Sequence, residues 1–237
     1  MPAYLDHNAT TPLDERVLEA MLPYLREGFG NASSIHAFGR SARTALNTAR
    51  EQVAELVGAH PSQVVFTSGG TEANNAALKG AASRRLPGSV AISSVEHASV
   101  REPAEALARH GWRNEWLAVD SEGRIRTEEV RRSSSAFFSV MWANNETGVL
   151  QDISALAEAA RERGALLHTD AVQAAGKVPI DFTAAGVHLM SLSAHKLYGP
   201  KGIGALVVDK AVDTEPLLRG GGQERGQPGS VHQNRLH

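Results

Sequence analysis

One lysine, Lys196, stands in a run of small, hydroxylated and glycine residues, Ser191-Leu192-Ser193-Ala194-His195-Lys196-Leu197-Tyr198-Gly199-Pro200-Lys201-Gly202, directly after the apolar run from Val187 to Met190. A strand that delivers its chain into such a turn leaves the lysine within reach of a bound anion and of a carbonyl carbon. Lysine is the side chain that forms Schiff bases, and it becomes a nucleophile or base when its pKa is drawn down to roughly 7–8. Read alone, Lys196 is an ordinary solvated lysine, as Lys79 and Lys210 are. Its neighbours decide between the two.

Four further polar turns follow apolar runs. Asp170 comes after Ala165-Leu166-Leu167, where a strand's carboxyl end would place a carboxylate at the edge where open α/β sheets bind ligands. Such a carboxylate can hold a protonated ring nitrogen; it can also simply cap a helix beginning near Val172. Ser68-Gly69-Gly70-Thr71-Glu72 links the run Val64 to Phe66 to a helical stretch, and glycines before a helix start suit phosphate. It lacks the spacing of a P-loop or a dinucleotide turn, so a monophosphate fits better than ATP or NAD. His97 follows Val90-Ala91-Ile92, where it could lie on a ring, relay protons or be a satisfied core histidine. Asn144-Asn145 and Gly148 follow the run Phe137 to Trp142 and read as a turn whose amide could meet a ring hydroxyl or a substrate carboxylate.

The elements that must hold these turns alternate. Helix spacing runs over 14–26, 43–57, 72–82, 98–110 and 153–163, with strands between and further strands near 116–119 and 203–208. Strand–helix alternation implies an α/β fold, a mostly parallel sheet flanked by helices, with the five turns on one sheet edge. Ser133 to Ser135 is expected in a loop. The 237 residues suffice for one large core. A net charge of −2 gives no basic field for nucleic acid or an anionic membrane, and no apolar run approaches the roughly 20 residues of a membrane span. The absence of cysteine excludes a disulfide framework and fits a cytoplasmic setting. Ten histidines include no HExxH pair, so no metal site is expected.

Taken in order, GGTEANN, VEHASV, NNETG, HTDAVQ and SAHKLYGPKG resemble the pyridoxal-phosphate enzymes of the class V aminotransferase group, and within it the cysteine desulfurases of iron–sulfur cluster assembly. The segments from Tyr4 to Pro12, Gly30 to His36 and Gly220 to Gly226 match as well. The resemblance implies that Lys196 holds pyridoxal 5'-phosphate as a Schiff base and moves the substrate's α-proton. Asp170 would pair with the ring nitrogen, His97 would stack on the ring and Gln173 would bond the phenolic oxygen. Gly70, Thr71, Ser193 and His195 would take the phosphate, while Asn145 and Asn31 would lie by the substrate. L-cysteine would be the substrate, a sulfur-acceptor or scaffold protein the partner, and a homodimer the assembly.

The same resemblance implies three divisions: residues 1–13 as the N-terminal segment of a small domain, 14–215 as the cofactor-binding large domain, and 216–237 as a truncated, disordered tail in place of the missing small C-terminal domain. The group uses a cysteine thiolate to take the sulfur, and this chain has none. The chain is therefore expected to be inactive by itself. Alternatives are a fold relative with another reaction, such as a selenocysteine lyase or transaminase-like enzyme, or a non-catalytic fragment that partners a complete subunit.

Overall fold

The computed structural model describes residues 3–217. After an irregular N-terminal segment come helix α1 (Glu15–Arg26) and helix α2 (Ala37–Leu56). Strand β1 (Val64–Thr67) leads into α3 (Gly70–Ser83), β2 (Ser89–Ser93) into α4 (Ala98–Leu107), and β3 (Arg113–Leu117) follows. The short α5 (Thr127–Arg132) precedes β4 (Phe137–Ser139), then α6 (Ile153–Arg161), β5 (Leu166–Asp170), α7 (Phe182–Ala185), β6 (Leu189–Ser193) and β7 (Gly204–Val208).

The strands form one sheet in the order β1-β7-β6-β5-β4-β2-β3. β7 is antiparallel to both of its neighbours, so β1 and the other five strands all run the same way. Their carboxyl ends therefore share one edge. Buried apolar side chains fill both faces: Ala76, Ala77, Val90, Val100, Phe137 and Leu189 pack on one, and Ile153, Leu156, Phe138, Leu167, Phe182 and Met190 on the other. The sheet is a mostly parallel layer flanked by helices, as the alternation implies.

The local differences from expectation have physical causes. β4 stops at Ser139 rather than Trp142: Val140 and Trp142 N–H still donate to His168 and Asp170 O of β5, but on the β2 side Met141 N–H donates to Glu96 Oε1 at 2.5 Å instead of to a strand. β6 runs on through the serines to Ser193, and the polar turn begins with a tight 3-10 turn at Ala194–Lys196. α2 starts at Ala37, capped by His36, whose Nδ1 accepts from Gly39 N–H at 3.3 Å. Its first turns are largely exposed and carry no apolar period to betray them. No helix begins at Val172; residues 172–177 form successive turns. Ser133 to Ser135 form a loop, but Ser133 and Ser135 are buried and both donate to Glu115 Oε2, at 2.6 and 2.9 Å.

Among the described residues no helix is long and apolar enough to cross a membrane, and no group of three or more His, Asp or Glu side chains is placed to hold a metal ion. The expected tail beyond residue 217, with the Gly220 to Gly226 segment, lies outside the described residues.

Candidate active site

A pocket of about 600 Å³ opens at the shared carboxyl edge of β1, β2, β4, β5 and β6. Gly70, Thr71, His97, Asn145, Asp170, Gln173, Ser193, His195 and Lys196 all line it. Asn31 does not. It is exposed, with its side-chain oxygen accepting from Ser33 N–H at 2.9 Å in a turn before α2. A second cleft, about 520 Å³, lies between the carboxyl-terminal ends of α3 and α4, and no carboxylate lines it.

Asp170 ends β5 and is buried. Its Oδ1 accepts from Val172 N–H at 3.0 Å, so the cap-like contact exists without a helix. Its Oδ2 accepts from Asn74 Nδ2 at 2.7 Å, and the same amide donates to Ser99 Oγ at 2.8 Å. Ser99 Oγ in turn lies 2.7 Å from His97 Nδ1, which also accepts from Ser99 N–H as the cap of α4. One chain of bonds thus ties the carboxylate at the floor to the histidine at the wall. Burial pushes the Asp170 carboxyl above its ordinary pKa, against the pull of these donors and of the His97 and Lys196 charges. Glu96, also buried, is raised well above its ordinary value by burial and by the Asp170 charge, and its Oε2 has no partner among the described residues. A cation placed against Asp170 would relieve both.

The phosphate-type side of the pocket is built from backbone. Gly69 precedes α3 with no side chain capping the helix's first N–H groups, which leaves them to an incoming anion. Gly69 can come this close because Gly204 faces it: a Cβ on Gly204 would stand 2.7 Å from the Gly69 carbonyl carbon and 2.6 Å from Leu192 O. A Cβ on Gly70 would meet Val172 Cγ2 at 2.9 Å. Ser193 Oγ, at the end of β6, is buried and has no hydrogen-bond partner among the described residues. A buried hydroxyl in want of a partner beside an uncapped helix start is a cradle for an oxyanion.

Lys196 is held by the N-terminal segment. Its Nζ donates to the carbonyls of Asn8 and, at 2.7 Å, Ala9. Gln173 Nε2 donates to Asn8 O at 2.8 Å, and Asn8 Nδ2 donates to Asn145 O at 3.3 Å. Thr11 N–H and Oγ1 both donate to His195 O, while Thr11 Oγ1 accepts from Tyr198 N–H at 2.8 Å. Tyr198 has φ 59°, the left-handed region that costs a non-glycine residue about 1–2 kcal/mol, and these bonds offset that cost. Burial lowers the Lys196 pKa, in the direction a Schiff-base lysine needs, although Asp170 and Asp6 pull the other way. His195 is lowered too, by burial and then by the Lys196 and Lys201 charges.

Several residues in this site escaped the sequence. Asn74 could have been noticed as a polar residue on the same helix face as Thr71, one turn on. Glu96 is a charged residue three positions beyond the fully buried strand β2, beside the His97 that caps α4. Asn144, expected only as part of a turn, builds that turn by accepting from Glu146 N–H, Thr147 N–H and Thr147 Oγ1, freeing Asn145 for the pocket. Asn8 gives no local signal, since its partners lie at positions 145, 173, 177 and 196.

The aminotransferase class-V family profile matches residues 3–233. The chain belongs to that family. It is 50% identical over 233 residues to "Cysteine desulfurase IscS" of Neisseria meningitidis, covering 95% of this chain and 58% of that one. It is 47% identical over 235 residues to "Cysteine desulfurase, mitochondrial" of Drosophila melanogaster, covering 95% and 50%. Among solved structures, "SspA in complex with cysteine" matches with TM-score 0.93 and 38% identity over 98% of this chain and 69% of the other. A "NIFS-LIKE PROTEIN" matches with TM-score 0.92 and 38% identity over 96% and 64%. The chain spans a little over half the length of the curated relatives it matches.

Class V aminotransferases are pyridoxal-phosphate enzymes, and the pocket fits that group. The orphaned Ser193 hydroxyl and the uncapped α3 start suit its phosphate. The buried, donor-ringed Asp170 carboxylate suits a protonated ring nitrogen, and Lys196 opens on the same space.

Proposed function

We propose that this chain is the cofactor-binding part of a cysteine desulfurase, which converts L-cysteine to L-alanine and passes the sulfur to an acceptor or scaffold protein for iron–sulfur cluster assembly. The observation that carries the reading is the convergence of a lysine, a buried carboxylate and an unpartnered serine hydroxyl in one pocket, in a chain 50% identical to a protein named for that activity.

In this reading Lys196 holds pyridoxal phosphate through Nζ and later holds and moves the proton at the substrate α-carbon. The cofactor, when bound, supplies an electron sink for negative charge at that carbon. Asp170 keeps the ring nitrogen protonated. Asn74 keeps Asp170 oriented. His97 covers a ring face, Gln173 donates to the phenolic oxygen, and Gly70, Thr71, Ser193 and His195 receive the phosphate. Asn145 orients the substrate; Asn31 approaches it only by a movement of its loop. The overall change breaks the C–S bond of cysteine, forms an S–S bond to an attacking thiolate and returns a proton to carbon. The chain holds no cysteine, so that thiolate comes from outside these 237 residues, and the chain by itself is inactive in sulfur transfer. A cytoplasmic location, a homodimer and the three-part division at residues 13 and 215 belong to the same proposal.

The test is an absorbance spectrum with added pyridoxal phosphate, followed by borohydride reduction and peptide mapping. A near-visible band reduced onto Lys196 is expected, lost in Lys196→Ala and kept in Lys201→Ala. Equal loss in both folded variants would sink the assignment.

A further inference from the structure

Lys177 lies four residues beyond Gln173, at the end of the turns that follow β5, and its Nζ donates to Gln173 Oε1 at 2.6 Å and to Asn8 Oδ1 at 3.3 Å. An ammonium carries donors only, so the amide oxygen of Gln173 must face it and the amide nitrogen must face away. That nitrogen donates to Asn8 O at 2.8 Å, and its second N–H has no acceptor among the described residues. Gln173 itself is buried and lines the pocket, whereas Lys177 stands outside at the exposed margin. Of these two fixed partners only the Asn8 carbonyl remains when the ammonium is removed, and an amide held by one bond and with a free oxygen can swing or turn over.

We propose that Lys177 is a positioning residue that locks the Gln173 amide with its donor end toward the pocket. The inference rests on the cofactor reading above. With the lock in place, a phenolic oxygen arriving beside Gln173 meets an N–H. With the amide reversed it meets a C=O, and two acceptors repel. A donor at that oxygen favours its ionised form and lowers the pH at which the bound cofactor's absorbance changes; an acceptor raises it. The Asn8 bond extends the lock to the N-terminal segment, so the same lysine also steadies the carbonyl that Gln173 and Lys196 share.

The experiment is a spectral pH titration of the protein reconstituted with pyridoxal phosphate, with the apparent affinity read from the same absorbance. Lys177→Met keeps the side chain's length and removes the charge and donors. It is expected to raise the spectral midpoint by roughly one pH unit, the size of one hydrogen bond gained or lost, and to weaken binding about tenfold. Lys177→Arg, again a pure donor, restores the midpoint; Lys177→Gln, which can donate or accept, does not. In a Gln173→Ala background Lys177→Met adds nothing further, which separates positioning from a general structural effect. An unmoved midpoint in folded Lys177→Met, or an undiminished shift without Gln173, overturns the inference while leaving the cofactor reading intact. A wild-type protein without the band, or reduced on another lysine, overturns the reading and the inference together.

Discussion

His168 provides a test of the core beneath the pocket that needs no cofactor. It lies in the middle of β5 with no exposed surface, its Nδ1 2.8 Å from Ser139 Oγ on β4 and its Nε2 2.9 Å from Ser191 Oγ on β6. Burial lowers its pKa from 6.5 to about 3. As pH falls through 6.5 the unfolded chain takes up a proton that the folded chain refuses. The stability contributed by the neutral imidazole is therefore whole above that pH and is lost progressively toward pH 3. The slope cannot exceed about 1.36 kcal/mol per pH unit, so between pH 6.5 and 4.5 the loss is about 2–3 kcal/mol. That is a large part of a typical stability of about 5–15 kcal/mol. Glu96 and Asp170 titrate with the opposite sign and His188 and His195 with the same sign, so the test is a difference between proteins. His168→Gln takes up no proton and strands one serine hydroxyl, costing about 1–3 kcal/mol at pH 7.5. In urea unfolding followed by tryptophan fluorescence, the difference between wild type and variant should move by about 2–3 kcal/mol in the variant's favour at pH 4.5, closing or reversing the gap. Parallel stability curves, or a folded-state imidazole resonance titrating near 6.5, would refute the reasoning.

Three other outcomes follow from the same geometry. Asn74→Ala removes a donor to a buried carboxylate, worth about 1.5–3 kcal/mol, and should weaken pyridoxal-phosphate binding at least tenfold in an absorbance titration. Gly204→Ala places a methyl 2.6–2.8 Å from backbone on two sides, so it should cost about 1–3 kcal/mol in thermal or urea melts and weaken phosphate binding by displacing Gly69. Glu96→Gln keeps an acceptor for Met141 N–H but cannot ionise. Because the folded carboxyl is raised, its contribution is full below its unfolded pKa and falls as pH rises, so the cofactor-free variant should gain on wild type between pH 5 and 8 in urea melts. Equal pH slopes for the two proteins would count against a buried, strained Glu96.

Lys196, Asp170 and the Gly69-Gly70 turn were legible because each ends a short apolar run, and parallel strands send all such ends to one edge. The antiparallel β7 was not legible, since its run Ile203 to Val208 looks like any buried strand and only its short link from β6 reverses it. α5 and α7 were missed because six and four residues give too few turns to show a period. Asn31 was carried by resemblance alone, and the turn before α2 keeps its side chain on Ser33. Asn8, Lys177 and Asn74 act through bonds to residues far along the chain or one helical turn away, and neither spacing nor composition records such a bond. In the sequence Glu96 is merely the neighbour of His97; in the fold it is buried, which no local spacing records.

The bonds from Asn8, Ala9 and Thr11 to Lys196, His195 and Tyr198 also set a clock on synthesis. A ribosome adding roughly 5–20 residues per second makes the first partner about 10–40 s before the second. During that interval the N-terminal segment has no carboxyl-side partner to fasten to, and the strands from β1 to β6 emerge beside an unanchored end. Tyr198 cannot be held in its left-handed conformation until Thr11 is waiting for it. On the proposed role of Lys196, a nascent chain would take up the cofactor only once residue 198 has cleared the exit tunnel, and the chromophore would then mark how far translation has gone.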